Sequence, residues 1–365
     1  MSEQETVALS LLPFRDVWNG CVSRAFLFES ALKAEEAINL EALRHVSSLR
    51  RRSVENRSFE LLEQIETLQE YWFHLQDLLS KEEEYAWKDG KSKLIFEWNS
   101  PLGFRDVISH RLFGLGQEGI MVLFLCGCGF REKAFAGANQ MVSDGAPNAT
   151  DVAVMFREAA GFFKHLAEMH ASLEEDLPAD RPAESVAAMS SCFENICLAE
   201  AQGIVAYRAA EKGTSPSVVA ALHRGASDLF EEASKILREN TGEFNVVSDR
   251  LKRFIAISSS VQTSRALQYM ARDQILQEQG GKAVRCCQEA RDNLRDCLIV
   301  AEGSIEWISR LKLENDGLKE LEASCERDRA SVFMQPLASM CPEMVEGKIL
   351  AKHIPYTPKK WHSIL

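Results

Sequence analysis

LAEAQGIVAYRAAEKGTSPSVVAALHRGA, residues 198–226, carries the strongest punctuation in the chain. Up to Lys212 its small and apolar residues read as one helix. Gly213 then suits the left-handed position that closes a helix, Ser215 suits an N-cap, and Pro216 suits a first helical turn. The next helix continues through Leu222, Leu229 and Ala233 to about Leu237. Two helices joined by so short a turn predict an antiparallel hairpin. At 1.5 Å rise per residue, Val205, Val218 and Leu222 all fall within about 12 Å of that turn. Three apolar residues so placed are either ordinary core or anchors for a helix from another molecule, which is read at spacings of three, four and seven.

Working outward, the same beat recurs. Val152, Met155, Ala159, Phe162, Leu166 and Met169 form one stripe of an amphipathic helix over 151–173, with Asp151 placed to cap it. After LEEDLPADRP, a loop rich in proline and acid, the helix that leads into the turn starts near Glu184. Beyond it, helices over about 247–279 and 283–311 flank Gly280-Gly281, and ALQYMARDQILQEQGGKAVRCCQEARDNL resembles a tetratricopeptide-like hairpin. Towards the N-terminus, VALSLL is a possible short strand. Residues 26–83 predict two or three helices interrupted near SLRRRSVENRS. LIFEW alternates between Lys-Asp-Gly and Asn-Ser-Pro and predicts a strand, while helical periodicity dominates from Arg105 onward. The tail from Ser331 to Leu365 carries four prolines and little periodicity, and predicts an extended strap packed back along the helices.

Composition narrows the function classes. Of the 365 residues, 46% are hydrophobic and 26% charged, enough for a large core and too apolar for general disorder. A formal charge of −12 argues against a dedicated nucleic-acid binder, although local basic patches survive any net sum. Ten cysteines are too dilute for a disulfide scaffold. The close pairs Cys126/Cys128, Cys192/Cys197 and Cys286/Cys287 lack zinc-ligand spacing, so free thiols in a reducing compartment are expected. The longest apolar run, GIMVLFLCGCGF, is shorter than the roughly 18 to 20 residues that span a bilayer. With no signal peptide at the N-terminus and no prenylation cysteine at the C-terminus, a soluble cytoplasmic protein is expected.

Catalytic patterns fail in context. GLGQEG at Gly114, Gly116 and Gly119 matches a dinucleotide fingerprint only if a strand precedes it and a helix follows. The preceding FRDVISHRLF reads as helical, which makes these glycines a turn between helices. DGKSK lacks the first glycine of a P-loop. His165 and His170 are five apart, on different helix faces, and read as surface histidines. Carboxylate runs such as EEEY read as solvated faces. No metal, cofactor or small-molecule substrate is expected, and the chain is not expected to be an enzyme.

Taken in order, several segments resemble the Bro-domain family of endosomal-sorting adaptors. EAAGFFKHLAEMH, followed after a loop by AESVAAMSSCFENICLAEAQGIVAYRAAEKG, is similar to the family's signature region, with LAEAQ at Leu198–Gln202 the most specific piece. SLRRRSVEN with LLEQIETLQEYWFHL, LIFEWNSPL, LGQEGIMVLFLCGC and ILAKHIPYTP resemble further family segments along the whole chain. The resemblance implies a mostly α fold: an elongated, boomerang-shaped helical solenoid with tetratricopeptide-like hairpins and a small N-terminal β-sheet. It implies a single domain over 1–365, with early helices and sheet to about 103, the solenoid over about 104–330, and the strap over about 331–365.

The resemblance also implies a non-enzymatic adaptor that binds the C-terminal amphipathic helix of an ESCRT-III subunit and is recruited to endosomal membranes. Carried over, the partner-helix groove falls on Val205, Val218 and Leu222. Valine at 205 replaces what is often a large aromatic in relatives, which at about 25 cal/mol per Å² weakens that anchor by about 1 kcal/mol. A basic patch at Arg50, Arg51 and Arg52 is the candidate membrane-facing surface. The alternative is a Bro-fold scaffold whose groove is lost and whose partner belongs to a cytoskeletal or small-GTPase pathway.

Overall fold

The computed structural model describes residues 11–32, 40–55, 60–81, 94–103, 108–141, 148–172, 181–244 and 246–362. Most of VALSLL, all of DGKSK and the loop at 173–180 lie outside these residues. Among the described residues the chain forms short helices α1 (Asp16–Gly20) and α2 (Phe28–Ala31), then α3 (Leu40–Arg50), running into a π-helical turn at Arg51–Glu55, and α4 (Leu61–Ser80). A two-stranded antiparallel sheet follows, β1 (Ile95–Ser100) and β2 (Ile108–Phe113). The remaining helices are α5 (Leu115–Gln140), α6 (Ala149–Ser172), α7 (Ala187–Glu211), α8 (Pro216–Glu239), α9 (Asp249–Leu276), α10 (Gly280–Val300) and α11 (Ile305–Arg327). Each helix from α3 to α11 packs on the next in sequence, which makes a helical solenoid.

Four expectations change. Within FRDVISHRLF, the described part Ile108–Phe113 is not helical but pairs with β1, Trp98 opposite His110, while 104–107 lie outside the described residues. Its apolar residues fit a helical beat, but the edge of β1 is an unpaired row of donors and acceptors that the strand satisfies. The helix expected over 283–311 is two, separated at Ala301–Ser304, where Gly303 takes φ +90°. Gly280 and Gly281 open α10, and the break lies just before them. At α6 the cap is Asn148, whose Oδ1 accepts from the Thr150 and Asp151 amides at 2.8 and 3.2 Å, so Asp151 is inside the first turn.

The core runs the length of the stack. At its middle, Phe124 of α5 meets Phe163 of α6 and Phe193 of α7 edge to face, and the latter two rings are tilted on each other, with centroids 5.1–5.3 Å apart. Truncating one such ring to alanine costs about 3–5 kcal/mol, through lost burial and the cavity left behind. At the far end, the fully buried Trp307 of α11 donates its indole N–H to the Pro13 carbonyl at 2.7 Å, and Phe14 stacks on Phe254 at 5.0 Å. The N-terminal segment therefore crosses the later helices and ties the two ends of the chain together.

After α11 and a short π-helical turn at Asp328–Val332, the chain runs without regular structure to Trp361 and crosses the helices in reverse order. Ala338 N donates to Gly281 O of α10, Lys348 N to Ala221 O of α8, and Ile354 N to Arg157 O of α6. Near its end Trp361 lies 6.0 Å from Phe73 of α4.

Candidate functional site

The turn between α7 and α8 closes by backbone chemistry. Gly213 takes φ +71°, its N–H donates to Ala210 O at 3.0 Å, and the Thr214 N–H reaches Ala209 O at 3.0 Å, a pairing that consumes carbonyls otherwise left bare at a helix end. Pro216 then stands at the first position of α8, and the Ser215 carbonyl receives Val218 N and Val219 N at 3.0 and 3.1 Å. Val218, in this first turn, is 37% exposed, and Val205 on α7 is half-buried against the core.

Leu222 differs: it is only 2% exposed. α8 packs against both α7 and α9, and Leu222, one turn further along it than Val218, is covered. A groove of three accessible aliphatics is therefore reduced to two, Val205 and Val218. Beside Leu222, His223 is buried, donates its Nδ1–H to Gln262 Oε1 at 2.8 Å, and stacks on Tyr269 of α9 at 5.5 Å. Burial, then the charge of Arg265, pulls its pKa down to about 3, so this ring is neutral. Arg272 lies over the Tyr269 ring at 4.8 Å, which adds a half-buried aromatic and a cation to this part of the surface.

The LAEAQ segment proves to be a joint. Glu200, 2% exposed, accepts from Arg131 of α5 at 2.8 and 2.5 Å, and a third Arg131 nitrogen donates to Phe14 O at 2.6 Å. That fork-to-carboxylate geometry meets the demand that buried charges be paired. Gln202 is fully buried and holds the strap with both ends of its amide. Its Nε2 donates to Leu222 O at 3.1 Å and Lys348 O at 2.9 Å, while Oε1 accepts from the Leu350 and Ala351 amides at 2.9 and 3.0 Å. Small residues make room for this crossing. A methyl group on Gly225 would stand 2.5 Å from Lys348 O, and one on Gly161 or Gly281 would overlap the carbonyl of Ile354 or Pro336. The strap thus passes directly behind the turn that carries Val205 and Val218. Sequence reasoning singled out LAEAQ but not Gln202 as its working residue; the signal was a glutamine inside an otherwise apolar and small-residue helix face.

The BRO1-like domain model matches residues 24–363, nearly the whole chain. The chain belongs to the BRO1-like domain family. Its fold matches the structure "ALIX BRO1 CHMP4C complex" with a TM-score of 0.69 at 18% identity, covering 96% of both chains. It matches ALIX in complex with the SIVmac239 PYKEVTEDL late domain at 0.70 and 18%, over 96% of this chain and 49% of that one. It also matches a Bro1 domain described under "Structure basis for endosomal targeting by the Bro1 domain" at 0.65 and 13%, covering 94% and 91%. At this identity these matches show the fold. Among curated proteins it is similar to the BRO1 domain-containing protein BROX of Homo sapiens and of Pongo abelii, 26% identical over 155 residues, or 42% of this chain and 36% of each relative's length.

This BRO1-like domain carries a second buried joint, which corrects the basic patch. Arg50 is fully buried: its Nε donates to Glu118 Oε1 at 2.8 Å, and its other nitrogens reach Glu55, Arg24 O and the Ser23 hydroxyl. Glu118 also receives the Tyr71 hydroxyl at 2.9 Å and the Trp98 indole at 2.6 Å. One carboxylate thus ties α3, α4, β1 and α5 together. Only Arg51 and Arg52 of the triple face solvent, and Arg52 lies 3.9 Å from Glu63.

Glu118 belongs to GLGQEG, where a strand does precede and a helix does follow, contrary to expectation. Gly114 carries φ +87° at the start of α5, and a side chain on Gly119 would strike Trp72, so these glycines serve a sharp turn and close packing. His165 and His170 are half-buried, not free on the surface: His165 lies 5.2 Å from the Tyr356 ring of the strap, and burial lowers His170 to about 4. No helix among the described residues is long and apolar enough to cross a membrane.

Proposed function

We propose that this BRO1-like domain is a non-enzymatic adaptor that seats the C-terminal amphipathic helix of an ESCRT-III subunit beside the α7–α8 turn, in the cytoplasm and on recruitment to endosomal membranes. The observation that carries the reading is the pair Val205 and Val218, one on each helix flanking a single turn, Val218 exposed and Val205 half-buried, in a fold shared with a Bro1 domain whose structure was determined with CHMP4C. Burying a valine side chain contributes about 1.5 kcal/mol, so two such contacts give a modest anchor that polar contacts along the helix must supplement.

The test is titration of a labelled ESCRT-III C-terminal helix peptide into wild type, Val205→Asp and Val218→Asp. A carboxylate placed in the contact should weaken binding at least about tenfold, about 1.4 kcal/mol, with circular dichroism unchanged. Leu222→Asp should instead cost the fold. Equal affinity in both folded variants would refute the proposal. It would favour the second reading, a scaffold for a cytoskeletal or small-GTPase pathway protein, to which the burial of Leu222 and the small Val205 already lend weight.

A further inference from the structure

We propose that His45, Glu70 and His74 form a three-ligand site for a divalent transition metal of the zinc type, clamping α3 to α4. One nitrogen of each histidine and one carboxylate oxygen of Glu70 lie within 4.8 Å of one another. Glu70 and His74 are four apart on α4 and share a face, while His45 faces them from α3, its Nε2 3.9 Å from Glu70 Oε1. The two histidine rings are 5.7 Å apart and nearly perpendicular, so they converge without stacking.

His74 supplies the independent sign. It is 2% exposed, and its Nδ1 is buried without a hydrogen-bond partner among the described residues. An unpaired buried polar atom costs about 1–3 kcal/mol. The other buried histidine near a candidate site, His223, spends its Nδ1 on Gln262. His74 thus has an unspent ring nitrogen and stands in one cluster with a second imidazole and a carboxylate.

The ligand chemistry selects the metal. Two imidazoles and one carboxylate suit zinc and its first-row neighbours, whereas calcium and magnesium want oxygen. Bonds of about 2.0–2.2 Å place tetrahedral ligands about 3.4 Å apart, so the site closes by about 1 Å on loading. The two partners that must move can do so: the side chains of His45 and Glu70 are 46% and 31% exposed, while His74 is fixed. The same exposure gives the ion an entry path and leaves the fourth position to water.

The test uses the whole reduced protein. Zinc is titrated against a chromophoric chelator, and cobalt is then added as a spectroscopic stand-in. One equivalent should bind, the cobalt form should show visible ligand-field bands without the intense near-ultraviolet thiolate band, and zinc should raise the melting temperature. His45→Gln and Glu70→Gln, at an exposed and a half-buried position, should each weaken binding at least about tenfold and abolish the thermal shift. His74→Gln should do the same, but the other two variants decide the matter if it fails to fold. Binding that survives both substitutions, a thiolate band, or no stoichiometric binding at micromolar zinc would overturn the assignment.

Discussion

Glu184 lies fully buried just ahead of α7, where the Ser100 hydroxyl donates to Oε2 at 2.6 Å and Oε1 finds no partner among the described residues. Burial pushes this carboxyl up to about 7, against the opposing pull of Ser100 and the Glu184 and Leu102 amides. The folded protein therefore holds the proton that an unfolded chain releases near 4.5. Below that pH both states are protonated and nothing is lost; as pH rises from 4.5 through 7, stability falls, and above 7 the full cost is present. Glu184→Gln should remove a penalty on the order of 3 kcal/mol at pH 8 and almost none at pH 4, read as a melting-temperature gain that grows with pH. A gain independent of pH would show that the carboxyl ionises freely.

Other single residues show what one sequence conceals. Spacing placed Val205, Val218 and Leu222 at one turn, yet not which of them a neighbouring helix encloses. Arg50 reads like Arg51 and Arg52 because its partner Glu118 stands 68 positions away.

Among the elements, the strap depends most on one side chain. Gln202 satisfies two strap amides and one strap carbonyl. Gln202→Ala should leave these groups unpaired at a cost of about 2 kcal/mol or more. Hydrogen exchange should quicken at residues 348–351 first, with α7 still protected. If α7 and the strap lose protection together, Gln202 is a packing residue of the core and not a clasp. The strap itself was legible, because four prolines and absent periodicity leave the chain only an extended path. β1 was legible from its alternation. β2 was not, since Phe104, Val107, Ile108 and Leu112 fit a helical beat and only pairing with β1 decides otherwise. The α10–α11 break was legible in principle: Gly303 and Ser304 repeat the stop-and-start signal of Gly213 and Ser215.

At the scale of the molecule, a helical stack joined only between neighbours should unfold piecemeal, each helix pair by its own stability. The strap changes that connectivity, since one chain touches α10, α8, α7, α6 and α4 in turn. The N-terminal segment does the same from the other side through Pro13 and Trp307. Coupling of this kind should make the domain unfold as one unit. In Trp307→Phe protein, tryptophan fluorescence follows chiefly the early helices and sheet around Trp72 and Trp98, while far-ultraviolet circular dichroism follows every helix. Urea transitions from the two probes should coincide in the full chain and separate once the chain is cut after Val332. Coincidence in both proteins would mean that helix-to-helix packing alone unites the stack, and the strap would then serve the surface beside the α7–α8 turn and not the stability of the whole.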